Sequence, residues 1–156
     1  MPDVKIEFKV SVGQVAAMIA AIVDSSATRL LIERPIFMKD GKLANFELTM
    51  GQTAFLAIHT MNKEGGIVPA PAGDVFTAAS GAVATVLATV DVMPSGPLQG
   101  TPALKLVSVA LGLAVTVTTT DSAGLSPDPI LVDVVTDVTA SAITVDEADA
   151  VFVPNA

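Results

Sequence analysis

From residue 29 onwards, the chain consists of short runs of β-branched and apolar residues, each followed by a cluster of Gly, Pro, Asp or Ser. Val, Ile and Thr favour strands, whereas such clusters end a strand and reverse the chain. The pattern predicts many short strands joined by turns, which is typical of an all-β sandwich or barrel. The predicted strands are residues 29–32, 36–38, 44–49, 53–59, 82–92, 104–109, 114–120, 130–135, 142–145 and 150–153.

The clearest runs form a predicted hairpin, VTVTTTDSAGLSPDPILVDVV, at residues 115–135. In its first strand Val115 and Val117 alternate with threonines, so one face is apolar and the other is polar. The second strand, ILVDVV, also has two distinct faces. Pro127 and Pro129 cannot donate hydrogen bonds within a sheet, so they belong to the turn. We expect a polar, solvent-facing corner between two strands of a sandwich.

The first 26 residues carry a different pattern. Residues 4–12, VKIEFKVSV, alternate strictly between apolar and polar, which predicts a half-buried strand. In the following GQVAAMIAAIVDSS the large apolar residues recur at helical spacing, so we expect a short, mostly buried helix that ends near residues 24–26. A fully buried strand is the alternative, because periodicity does not separate the two in a short apolar run.

Charge and composition argue against several partners and chemistries. The net charge is −8 and only 8 residues are Lys or Arg, whereas nucleic acids and anionic membranes are bound mainly through basic side chains. We therefore expect no nucleic-acid partner and no membrane insertion. The absence of cysteine excludes disulfides, thiolate metal sites and cysteine nucleophiles. The N-terminus, MPDVKIEFKV, lacks the apolar core of a secretory signal peptide, so we expect no export by that route.

Few residues are candidates for chemistry. His59 is the only histidine, and no motif places an orienting carboxylate and a nucleophile beside it, so we interpret it as a strand-end residue facing solvent or a neighbour. The densest acidic cluster, residues 146–149 (DEAD), lacks the spacing of an EF-hand calcium loop. A solvated turn is the favoured interpretation, and a calcium site joined by Asp74, Asp121 and Asp128 is the alternative. The sequence thus predicts no catalytic residue, no cofactor and no bound metal.

Four stretches, the last of them with the hairpin that follows it, carry a resemblance to a known family. They are residues 50–56 (MGQTAFL), 62–66 (NKEGG), 76–86 (FTAASGAVATV), 111–118 (LGLAVTVT) and 121–124 (DSAG). In this order they resemble a bacterial immunoglobulin-like domain of the group-two type, which occurs in surface proteins and phage virion proteins. The segment at 91–102 departs from the family by its proline content. The resemblance implies an immunoglobulin-like β-sandwich at residues 46–136. Because such a sandwich does not require the strand and helix predicted before it, we expect an N-terminal attachment region at 1–45, and a C-terminal strand and tail at 137–156.

The resemblance also suggests what the chain does. It implies a non-catalytic structural protein of a tailed-phage virion, such as a head decoration or tail accessory protein, assembled in the host cytoplasm. The partners would be other virion proteins or copies of itself, bound through the N-terminal region, with host cell-surface glycans as a further candidate. A module of a bacterial surface adhesin, located at the cell surface, is the alternative. The N-terminal sequence favours the virion, because an adhesin must be exported.

Overall fold

The computed structural model describes residues 27–137, 141–143 and 150–155, and only the backbone of 141–143. All regular structure in these residues is β-strand, as the short alternating runs predict. The strand predicted at 4–12, the helix predicted at 13–26 and the acidic cluster at 146–149 lie outside the described residues. The strands are β1 (Arg29–Ile32), β2 (Ile36–Lys39), β3 (Lys42–Ala44), β4 (Phe46–Thr49), β5 (Gln52–Met61), β6 (Ile67–Val68), β7 (Phe76–Ser80), β8 (Val86–Val92), β9 (Pro102–Ser108), β10 (Gly112–Asp121), β11 (Ile130–Val135), β12 (Ser141–Ile143) and β13 (Ala150–Pro154).

The run predicted as one strand at 44–49 is divided between β3 and β4, and the sequence does not predict β6. Two further elements differ from the sequence prediction. The run predicted as a strand at 82–92 becomes one only at Val86, because residues 82–85 form a turn in which the Thr85 amide donates to the Ala82 carbonyl at 2.9 Å. Val83 is therefore 62% exposed. The second difference is β7, FTAAS, whose composition gives little strand signal. Its pairing with β10 along five residues fixes it as a strand.

The described strands form three sheets. The largest has the order β1-β5-β9-β8, and β6 and β13 also pair with β5. The second has the order β4-β11-β10-β7, in which β4 and β11 run parallel and the other neighbours run antiparallel. The third is β12-β2-β3. Because β9 and β13 pair with the same part of β5, they lie on its opposite sides.

One cluster of buried side chains joins the two larger sheets. Leu56 of β5 and Val132 of β11 are each 0% exposed and belong to this cluster. Ile32 and Phe37, which precede the predicted boundary at residues 45 and 46, belong to the same cluster. Burying a large apolar side chain contributes about 1.5–3 kcal/mol. Strands β1 and β2 therefore help to stabilise the same core as the strands after residue 46.

Strand β5 is buried on both faces. Its other face contributes Phe55 and Ala57 to a second, smaller cluster, which Val151 and Val153 of β13 help to cover. This double burial explains why residues 53–58 are nearly all apolar instead of alternating. Phe152 of β13 faces the opposite way and stacks on Phe46, with ring centroids 6.0 Å apart. Side chains of β13 thus pack against the protein on both faces of the strand.

Candidate functional site

His59 lies inside β5 and not at a strand end as predicted, because β5 continues to Met61. It is 8% exposed, and its Nε2 lies 3.3 Å from Oε2 of Glu33, the residue after β1. Within the described residues this Nε2 has no hydrogen-bond partner, so the two atoms are close without forming a hydrogen bond. His59 therefore faces a neighbour, which is one of the two surroundings that the sequence left open.

An open cleft of about 370 Å³ borders His59. Its walls are mostly apolar and include Ile67 and Val68 of β6. A nucleophile next to a histidine base would need a hydroxyl or thiol group, and among the residues that line the cleft only Thr60 and Thr101 carry a hydroxyl. The Thr60 hydroxyl donates to the carbonyl of Val68 and so helps to hold β6. The cleft presents a small apolar surface in which one of the two hydroxyls already has a structural partner.

The structure brings together two of the three loop aspartates named as calcium candidates. Asp74 lies before β7 and Asp121 ends β10, and their carboxyl groups lie within hydrogen-bonding reach of each other. Asp128 lies apart, in a groove that it shares with Arg29 and Arg34. Residues 146–149 are not described. In the part of the chain that the structure describes, no group of three or more His, Cys, Asp or Glu side chains comes together as a metal site.

Four large apolar side chains are exposed where two loops meet. Val83 lies in the turn before β8, Val109 and Leu111 lie between β9 and β10, and Leu113 lies near the start of β10. Their exposed fractions are 62%, 45%, 56% and 72%. We call these four residues the apolar tip. The sequence does not reveal the apolar tip, because a local pattern does not show which apolar residues stay exposed. Clustered exposed apolar residues often mark contact surfaces.

Backbone contacts hold the two loops of the apolar tip together. The amides of Val109 and Ala110 donate to the Thr85 carbonyl at 2.8 and 3.2 Å. Gly112 approaches Thr85 so closely that a Cβ at position 112 would lie 2.6 Å from the Thr85 methyl carbon. Glycine permits this approach because it has no side chain. The two loops that carry the apolar tip are therefore held side by side by backbone contacts.

Two further findings concern the whole chain. No helix among the described residues is long and apolar enough to cross a membrane. No family model matches the chain, and neither does any curated protein or any solved structure.

Proposed function

We propose that this chain is a non-catalytic structural protein of a tailed-phage virion, a head decoration or tail accessory protein, that displays an immunoglobulin-like β-sandwich. The strand order is the observation that supports the fold, and the virion role is inferred from the family resemblance of the sequence. The exposed apolar tip supports a role in assembly. Other virion proteins or further copies of the chain are the proposed partners. Because β1 and β2 contribute to the core, the proposed attachment region is the part of the predicted region 1–45 that precedes β1.

The strand order supports an immunoglobulin-like sandwich in detail. In that fold one sheet has the order A-B-E-D and the other contains C, F and G. If β1, β5, β7, β8, β9, β10 and β11 are taken as strands A to G, the order β1-β5-β9-β8 is A-B-E-D, and β11-β10-β7 is G-F-C. The buried cluster between these sheets corresponds to the core of a sandwich. The hairpin of β2 and β3 is an insertion between β1 and β4.

The surface supports assembly better than the binding of nucleic acid. The net charge of −8 argues against phosphate contacts. The apolar tip, by contrast, exposes large side chains on interlocked loops, and the burial of such side chains is the main source of stability in most protein–protein contacts. A rigid sandwich with an apolar contact surface suits a protein that is built into a larger particle.

Immunogold electron microscopy tests the proposal. Antibodies raised against the purified chain should label intact phage particles released by cells that carry the gene, at the head or at the tail. Antibodies preabsorbed with the chain provide the control. Labelling confined to the bacterial surface would favour the adhesin instead. Absence of labelling on both particles and cells would contradict both assignments.

A further inference from the structure

Strand β8 leaves one edge of the largest sheet open. Its sequence is VLATVDV, and among the described strands it pairs only with β9. It is also the longest of the described strands that lie at a sheet edge. Natural edge strands are usually short, or carry a lysine, a proline or a bulge that hinders pairing with another chain. Strand β8 has no lysine or proline, and its register with β9 is continuous. This edge is therefore suited to a further strand.

Hydrogen bonds to β9 show which way the backbone of β8 faces. The Val109 amide donates to the Thr85 carbonyl and the Met93 amide donates to the Thr101 carbonyl, each at 2.8 Å. In an antiparallel pair of strands, residue pairs that share hydrogen bonds alternate with pairs that do not. The odd-numbered residues of β8 therefore bond to β9, whereas the even-numbered residues direct their amides and carbonyls to the open side.

The unpartnered amides of this edge lie in its middle. At one end the Val86 amide donates to the carbonyl four residues earlier at 3.0 Å, and at the other end the Val92 amide donates to the Asp91 carboxylate at 2.9 Å. The amides and carbonyls of Ala88 and Val90 have no partner in the described part of the chain. Ala88 is only 7% exposed, and a backbone group that lacks both water and a partner costs free energy. The middle of β8 thus has donors and acceptors ready for another strand.

We propose that β8 pairs with β8 of a second copy of the chain, antiparallel and about a two-fold axis at Thr89. In this register Ala88 lies opposite Val90 of the partner subunit, and Val90 lies opposite Ala88 of the partner subunit. Residues opposite each other in such a pair exchange both of their backbone hydrogen bonds. Every amide and carbonyl of these two residues would then have a partner, and the largest sheet would continue from one copy into the next.

The side chains of β8 fit this register. Thr89 would face Thr89 of the partner subunit, and threonine pairs across two strands are favourable. Asp91 would lie opposite Leu87 of the partner subunit, so the only charged residue of β8 does not meet its own copy. In addition, Lys105 Nζ lies 3.4 Å from Oδ2 of Asp91 in the same chain. The apolar tip lies at one end of this edge, since Val83 is in the turn before β8, so the same contact can include both.

Cysteine cross-linking of the full chain tests the register, because the natural sequence has no cysteine. The two copies of residue 89 would form a pair without mutual hydrogen bonds, with Cα atoms about 4.5 Å apart, a distance that a disulfide spans. Mild oxidation of Thr89→Cys should therefore give a covalent dimer on a non-reducing gel. Leu87→Cys is the matched control, because Leu87 is exposed on the same face of β8 but would lie about 13 Å from its counterpart. It should stay monomeric on the gel.

Light scattering with size-exclusion chromatography tests the pairing without a covalent link. Thr89→Glu and Thr89→Lys should each weaken self-association at least about tenfold, because like charges would meet at the two-fold axis. A mixture of the two variants should restore the association, since opposite charges then meet. Thr136→Glu, at an exposed position outside β8, is the control and should associate like the wild type.

Three results would overturn the pairing: a wild-type chain that stays monomeric at every concentration, equal cross-linking of both cysteine variants, or a mixture of the charged variants that associates no better than each alone. The pairing rests on the assembly of copies proposed above, but its tests use the purified chain. A β8 dimer without immunogold labelling of particles would contradict only the virion role. Labelled particles whose protein fails the cross-linking test would contradict only the pairing.

Discussion

The backbone of Ala114 adopts a left-handed conformation, with φ of 54°, which an alanine side chain disfavours. It lies in β10 where the register with β11 shifts between Gly112 and Val115. The Asp133 carboxylate accepts hydrogen bonds from the Ala114 amide at 2.7 Å and from the Asn45 side-chain amide at 3.0 Å. A single side chain of β11 thus supports the irregular backbone of its neighbour.

Ala114→Gly should stabilise the protein by about 1 kcal/mol, because glycine relieves the left-handed strain while the amide keeps its bond to Asp133. Urea denaturation measures the free energy of unfolding. Ala79→Gly is the control, since Ala79 is an exposed residue of β7, where glycine should cost about 0.5–1 kcal/mol. An equal loss of stability in both variants would mean that Ala114 is not strained.

At the residue scale, the sequence predicts which face of a strand is buried better than it predicts which side chains contact each other. Alternation correctly separates Val115 and Val117, which are buried, from Thr116 between them, which is exposed. It does not show that Asp133 supports Ala114, because a hydrogen bond between strands depends on register. The aspartates illustrate the same limit. The sequence names Asp74, Asp121 and Asp128 together, but the pairing of β7 with β10 brings only the first two into contact.

At the element scale, one side chain attaches the end of β13 to the rest of the protein. The Asn155 side-chain amide donates to the Ser108 carbonyl at 3.0 Å, and its Oδ1 accepts from the Thr53 hydroxyl at 2.6 Å. Its backbone amide donates to the Gly51 carbonyl at 2.8 Å. Ser108 and Thr53 are both buried, so water does not readily replace these bonds.

Asn155→Ala should destabilise the protein by about 2 kcal/mol, because buried groups of Ser108 and Thr53 lose their partner. Hydrogen exchange should quicken most at residues 150–155. Pro154→Ala, at an exposed position in the same strand, serves as control and should leave the exchange of its neighbours nearly unchanged. Unchanged exchange in Asn155→Ala would show that the aromatic and apolar contacts of β13 are sufficient to hold it.

The sequence predicts where strands occur more easily than it predicts which strands pair with each other. The sequence predicts β1, β11 and most of β13, since each has a run of apolar residues with turn signals beside it. It gives no sign that β13 pairs with β5, because Thr53 and Asn155 lie 102 positions apart. The sequence also does not predict β7, because its small residues have little strand preference and form a strand only by pairing with β10.

At the scale of the whole molecule, the apolar tip is the surface that we expect to join subunits. Replacing Leu111 and Leu113 together by serine should weaken self-association at least about tenfold, because each buried leucine contributes about 1.5–3 kcal/mol. Light scattering with size-exclusion chromatography measures this. Leu43→Ser is the control, since Leu43 is 78% exposed on β3, outside the tip. Equal weakening in the control, or none in the double variant, would contradict this role.

The pairing of β13 with β5 also determines when the largest sheet can be completed during synthesis. A ribosome makes β5 early, but the strand that covers one side of residues 52–56 is made about a hundred residues later. Until β13 emerges, that side of β5 exposes unpaired amides and carbonyls, which can pair with other chains. Folds dominated by such distant pairings form slowly, in milliseconds to seconds. During synthesis, therefore, residues 52–56 remain unpaired on one side until β13 is made, and neighbouring nascent chains compete with β13 for them.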